Sequence, residues 1–276
     1  MRLTAALFGR FDDADKWVAA LKAKGYRAAG WLPDNGDGLL AGEFAAAARA
    51  ADIVIGEICA WCSPISDDEG KRREAVAYCQ RQLAVAEQVQ ARCCVNVGGS
   101  RGEPFNGPHK DDLTDDTFDL IVQTVRQIID AVKPKATFYT LETMPWMYPD
   151  STKSCLRLIK AVDRKAFAIH YDPVNLINSP ERYWSNGKGI REFCRKLGPH
   201  IRACHAKDIL LQPKLTVHLD EVRPGLGNLD YRTFLRELDR LDGDIPVAVE
   251  HLGSEQEFDL GVDYIRCVAA EVGVRV

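Results

Sequence analysis

Four polar side chains close four successive apolar runs of this chain. Glu142 ends TFYTLE, Asp172 ends FAIHYD, His205 lies in IRACHAKD and Glu250 ends VAVE. The gaps between them are 30, 33 and 45 residues, each about one strand–helix unit with its loop. Two glutamates, one aspartate and one histidine make a mixed oxygen and nitrogen donor set. Such a set suits one divalent ion, Mn2+ foremost, with Mg2+, Co2+ and Zn2+ as alternatives; it does not resemble a thiolate zinc site. A single carboxylate at a strand end is explained equally well as a helix cap or ion-pair partner. Four in register on consecutive strands point to a shared ion.

Other residues could touch a substrate bound there. Lys207 follows the histidine closely and could hold a substrate oxygen or a developing negative charge; the alternative is a salt bridge at the rim. Glu57 and Trp61 fall near the end of the third apolar run, Trp31 at the end of the second, and Trp146 just after Glu142. Aromatic rings at such rims stack on sugar faces, and tryptophans also fill loop cores. His109 sits in a Gly/Pro-rich loop from which it could reach the site. His170, inside a run, reads as a core histidine. Cys59 and Cys62 form a lone CxxC, which lacks the further ligands zinc needs and reads as structural thiols. Gly98-Gly99 suits a tight turn or a small anion nest, and no nucleotide motif is present.

These side chains need a scaffold. Apolar runs suited to buried parallel strands lie at residues 3–8, 27–31, 53–60, 93–97, 137–142, 167–172, 201–207 and 246–250. Amphipathic segments alternate with them. In 116–132, Phe118, Ile121, Val122, Val125, Ile128, Ile129 and Val132 form one stripe. Further helices are expected at 13–24, 43–51, 68–90, 151–162, 190–197, 231–241 and 258–271. Thr114 and Ser151 are candidate N-caps. Eight strand–helix repeats predict an α/β fold, a (β/α)8 TIM barrel spanning residues 1–276 as one domain; an open doubly wound sheet is the alternative. The long irregular pieces 98–113, 173–189 and 209–228 all follow strands, on the face where a barrel builds its site.

Composition narrows the function. The 276 residues carry a formal net charge of −4 and no basic block, which disfavours a nucleic-acid partner. No run reaches membrane-spanning length, and the N-terminus lacks a signal-peptide pattern, so a cytoplasmic protein is expected. Nine cysteines then read as reduced thiols. The expected partner is a small carbohydrate, with self-association left open.

The chain resembles the xylose-isomerase-like TIM-barrel superfamily of sugar isomerases and epimerases. The similarity spans nearly the whole chain and is carried by LETMPW (141–146), HYDPVN (170–175), CHAKD (204–208), RPGLGNLDY (223–231) and VEHL (249–252). The resemblance implies that Glu142, Asp172, His205 and Glu250 bind one metal and that Glu142 and Glu250 act as acid/base groups. It also implies that Arg223 contacts substrate. The chemistry it implies is proton abstraction beside a carbonyl through a metal-stabilised enediolate, ending in isomerisation or epimerisation. A carbon–oxygen lyase or dehydratase acting on a keto-sugar or keto-inositol starts the same way. A non-catalytic sugar-binding barrel is a third possibility, one that loss of a ligand would favour. Where many epimerases carry Asp-x-x-His, this chain has Asp172-Pro173-Val174-Asn175. Asn175 can bind a substrate hydroxyl but cannot titrate near neutrality. That substitution also counts against a multi-zinc endonuclease.

Overall fold

The computed structural model describes residues 1–33 and 40–276. Its strands are β1 (Arg2–Ala5), β2 (Ala28–Ala29), β3 (Val54–Ile55), β4 (Glu57–Cys59), β5 (Cys93–Asn96), β6 (Tyr139–Glu142), β7 (Phe167–Tyr171), β8 (Ile201–Ala206), β9 (Asp208–Gln212), β10 (His218–Val222) and β11 (Pro246–Val249). Its helices are α1 (Ala14–Ala23), α2 (Ala41–Ala50), α3 (Glu69–Val89), α4 (Asp115–Val132), α5 (Thr152–Val162), α6 (Pro180–Trp184), α7 (Asn186–Leu197), α8 (Tyr231–Asp239) and α9 (Glu255–Val272).

Seven strands form a curled sheet in the order β1-β11-β8-β7-β6-β5-β4, every pairing parallel. β2 pairs with β3. Only Gly56 separates β3 from β4, so the two form one bent barrel strand. The Gly56 amide donates to the Ala29 carbonyl (2.7 Å) and the Glu57 amide to that of Gly30 (2.9 Å), joining β2 to the larger sheet. A side chain at Gly56 would sit 3.1 Å from the Ala29 oxygen, so the close approach favours glycine. Eight strand positions result, and the expected (β/α)8 barrel stands.

Between β1 and β2 there is no ladder among the described residues. A buried Arg2 guanidinium spans that joint. It donates to Asp244 (2.8 Å), to Asp52 Oδ1 (2.9 Å) and to the carbonyls of Arg27 and Asp52.

The expected stripe of α4 is buried from Phe118 to Ile129. Thr114 caps that helix by accepting from the Thr117 amide, and Ser151 forms a capping box with Ser154 on α5. Two segments expected to be irregular are not. β8 runs on into β9, which pairs antiparallel with β10 within 209–228. β10 has no buried residue and lacks the continuous apolar run by which buried strands were identified. Helix also begins earlier than residue 190, because Ser179 caps α6 with Pro180 in its first turn. None of the described helices is long and apolar enough to cross a membrane.

Candidate metal centre

β6, β7, β8 and β11 are neighbours in the sheet and run parallel, so their C-terminal ends meet at one rim. There Glu142, Asp172, His205 and Glu250 each present a ligand atom, all within 4.8 Å of one another. His205 Nδ1 lies 3.0 Å from Glu142 Oε1 and 3.0 Å from Glu250 Oε1.

Local backbone geometry aims each oxygen. The Thr143 hydroxyl donates to the Asp172 carbonyl (2.8 Å) and accepts from the Asp172 amide (3.0 Å), fixing the strand end. Asp172 Oδ1 accepts from the amides of Val174 (2.8 Å) and Asn175 (3.3 Å). Oδ2 is left facing the centre. Buried Asp172 Oδ2 and Glu250 Oε1 make no aligned hydrogen bond, so they are oxygens a cation could take.

Lys207 enters the same cluster. Its buried ammonium lies 2.8 Å from Asp172 Oδ2 and 2.8 Å from Glu250 Oε1, with Glu221 at 3.4 Å. Burial opposes its charge, but Asp172, Glu250, Glu142 and Glu221 outweigh that and hold the amine well above its usual range. Burial pushes the Asp172 carboxyl up to about 6, against the pull of Lys207 and with the repulsion of Glu142 and Glu250. For His205 burial disfavours imidazolium, yet Glu250, Glu57 and Glu142 together raise it well above the ordinary histidine value. Burial raises Glu250 too, but His205, Lys207 and His251 prevail and leave it below the usual carboxylate range.

Among the expected substrate contacts, Asn175 lies in the cluster. Its Nδ2 donates to Glu142 Oε1 (3.2 Å), and its Oδ1 accepts from Lys207 (3.5 Å). Trp146 is half-exposed at the rim, with its indole N–H donating to the Asn106 carbonyl (2.8 Å). Trp61 packs with Phe105 against Val97, Met144 and Met147.

Three of the expected substrate contacts have partners of their own in the structure. Glu57 opens β4 and is 2% exposed. Its Oε1 lies 3.2 Å from His205 Nε2 and its Oε2 2.9 Å from His170 Nε2. The apolar run continues past it, so its side chain is directed into the protein and not to a loop. The Arg223 guanidinium is held against α9, where it donates to Glu257 (2.8 Å), and it also donates to the neighbouring Pro224 carbonyl (3.4 Å). His109 keeps its contacts within its own loop, accepting from the Asp111 amide (3.3 Å) and donating its own amide to Asp112 (2.9 Å). His170 is fully buried, as a core histidine should be.

Sequence reasoning missed Glu221 and His251. Glu221 stands on β10 and pairs with His251 Nδ1 at 3.0 Å, and His251 Nε2 lies 3.6 Å from Glu250 Oε2. The hairpin brings Glu221 to Lys207, so its signal lay in the unrecognised strand HLDEV. Asp208 also gains a role. It accepts from the amides of Gly225 (3.0 Å) and Leu229 (2.8 Å), folding RPGLGNLDY around one carboxylate. Gly225 has a φ of +94°, and a side chain at Gly227 would come within 2.4 Å of Asp208 Oδ1.

Comparison with known proteins places these features in context. The family model for a xylose isomerase-like TIM barrel matches residues 17–267. Comparison with curated protein sequences finds no match. Among solved structures, the chain is similar to a xylose isomerase-like TIM barrel protein from Mycobacterium smegmatis in complex with magnesium. The TM-score is 0.69 at 19% identity, covering 98% of this chain and 97% of the other. It is also similar to a probable 3-DHS dehydratase from Bacillus anthracis (TM-score 0.71, 16% identity, 97% and 98% covered). A third is 3-keto-D-glucoside 4-epimerase from E. coli (0.66, 17%, 97% and 99%). At these identities the structural likeness concerns the fold.

Proposed function

The chain belongs to the xylose isomerase-like TIM barrel family, and from that premise we propose that it is a divalent-metal-dependent isomerase or epimerase of a sugar or keto-sugar. The observation that carries this reading is the convergence of Glu142, Asp172, His205 and Glu250 at one barrel rim, with Lys207 among them. Those four would hold the ion, Mn2+ foremost and Mg2+, Co2+ or Zn2+ as alternatives. The buried oxygens of Asp172 and Glu250 face positive charge, the Lys207 ammonium 2.8 Å from each, and fit a cation. When bound, the ion supplies Lewis-acid polarisation of a substrate carbonyl.

The remaining work falls to the chain. Glu142 and Glu250 reach the His205 imidazole from different strands, each 3.0 Å from its Nδ1. One carboxylate takes the proton from the carbon beside the carbonyl and the other returns one. Lys207 brings positive charge to the oxygen that becomes negative, and Asn175 orients a hydroxyl. Trp146 offers a ring at the rim. His109 and Arg223 contact substrate only after leaving the partners described above. A lyase outcome is the second reading, favoured by Asn175, whose amide cannot titrate. The dehydratase among the similar structures also bears on it.

The test is incubation of the protein with Mn2+ and a panel of keto-sugars and keto-inositols in heavy water. Mass spectrometry should find products of unchanged mass apart from incorporated deuterium. A product lighter by water would replace the isomerase reading with the lyase. No turnover across the panel, together with sugar binding by calorimetry, would favour a binding subunit.

Ion binding should also be linked to pH. A ligating imidazole needs a lone pair, whereas its carboxylate neighbours favour imidazolium at His205. Binding therefore releases a proton, and affinity rises with pH until the His205 proton is gone. Calorimetry in buffers of different ionisation enthalpy should report that release. A binding enthalpy independent of buffer would exclude His205 as a ligand that gives up a proton.

Arg223→Ala should raise KM while costing stability less than about 1 kcal/mol, because a partly exposed ion pair contributes little. Normal kinetics with a lowered melting temperature would make the arginine a clamp on α9.

A further inference from the structure

Beneath the rim lies a buried group that the proposed chemistry leaves unused. Glu57, His170 and His205 are 2%, 0% and 1% exposed. The Glu57 carboxylate lies between the two imidazoles, with Oε1 3.2 Å from His205 Nε2 and Oε2 2.9 Å from His170 Nε2. The two rings are in contact, their centroids 4.1 Å apart and their planes tilted by 59°. Packed in this way, neither ring turns freely.

We infer that Glu57 is a positioning residue that keeps the His205 proton on Nε2, so that Nδ1 presents its lone pair between Glu142 and Glu250. The inference rests on the metal reading above and deepens it. A neutral imidazole carries one N–H, and its position decides which nitrogen can ligate. Carboxylates flank both ring nitrogens, so a cation held by Glu142 and Glu250 would take the lone pair of Nδ1, and Glu57, which accepts hydrogen bonds only, would hold the proton left on Nε2. Nδ1 faces the opposite way, 3.0 Å from each of two candidate ligand oxygens. His170 engages the second oxygen of Glu57 and limits rotation of the carboxylate. The bent strand supplies the alignment: β4 begins at Glu57, immediately after Gly56, and reaches across the barrel interior to β8. Partners of this kind that orient a ligating histidine alter metal affinity about 10–100-fold.

The same three residues also lie close enough together to hold an ion of their own, and the experiment separates the two roles. Glu57→Gln keeps the side chain's size but can offer either an oxygen or an NH2 group to the ring. Mn2+ titration by calorimetry should give one ion per chain in wild type and in the variant, with affinity weakened about 10–100-fold in the variant. Nitrogen NMR of histidine-labelled protein loaded with diamagnetic Zn2+ should show His205 ligating through Nδ1 with its proton on Nε2. Glu57→Gln should shift it toward a mixture, and Glu57→Asp should restore part of the wild-type pattern. Wild-type affinity together with an unchanged tautomer in Glu57→Gln would overturn the inference. Two ions per wild-type chain falling to one in Glu57→Gln would overturn it as well, making Glu57 a ligand. No ion bound by wild type would overturn the metal reading, an outcome distinct from ion binding that Glu57→Gln leaves unchanged.

Discussion

Glu142→Gln and Glu250→Gln, made singly, are each expected to lower kcat about 10²–10⁴-fold, the usual contribution of a positioned acid or base. Glutamine keeps the shape and one carbonyl oxygen, so Asn175 retains an acceptor at position 142. What is lost is the ability to take or return a proton, together with one negative charge of the candidate ligand set. Solvent deuterium should enter product no faster than the lowered turnover. The double variant should fall little below the worse single one, because removing either base already breaks a two-step transfer. Steady-state rates and product mass check this. Turnover at the wild-type rate in both single variants would eliminate the carboxylate pair, whichever product forms.

Lys207→Met, measured in chelator, is expected to lower folding stability by about 3–5 kcal/mol, the range for removing one partner of a buried ion pair. Its ammonium is 2.8 Å from both Asp172 and Glu250, with both side chains almost wholly buried, so the variant leaves carboxylates facing one another. The cost should shrink as pH falls. The Asp172 carboxyl already sits at about 6 with Lys207 in place. Loss of that cation moves it higher, and a protonated Asp172 no longer repels Glu250. A carboxyl with a raised folded-state pKa contributes stability at pH below its unfolded value and loses it as pH rises through the folded one. Urea unfolding at pH 5 and pH 8 should therefore show the larger deficit at pH 8. A divalent ion should restore much of the loss by supplying the missing charge. A loss below about 1 kcal/mol at pH 8 would show that water reaches the cluster freely.

Much of the barrel was legible because its strands are buried on both faces. Runs such as FAIHYD and FYTLE are largely apolar, and each ends on a carboxylate of the rim. The metal candidates were legible for the same reason: a charged residue that ends such a run stands out by composition and by its spacing from the next. The contact of Glu57 with His205 was not legible, because the run carrying Glu57 extends beyond it and does not show which strand its side chain meets. Lys207 was singled out, but its depth was not foreseeable. It depends on β8 continuing into β9, which carries residue 207 over the barrel mouth. Glu221 and His251 were hidden because one stands on an exposed hairpin strand and the other adopts a positive φ just after β11. Neither feature leaves an apolar period.

A cylinder joined by ladders at every boundary but one has a preferred place to come apart. At the β1–β2 joint, among the described residues, the Arg2 guanidinium bridges where main-chain pairing joins the strands elsewhere. Fluctuations that part the wall there break side-chain contacts without first disrupting a ladder, so they cost less than partings elsewhere. Amide protons of β2 and β3 should accordingly exchange with solvent before those of β6, β7 and β8, which carry three of the four candidate ligands. That order of exchange would place three of the four candidate ligands on the arc of the wall that opens last, leaving the rim its shape while the opposite side breathes.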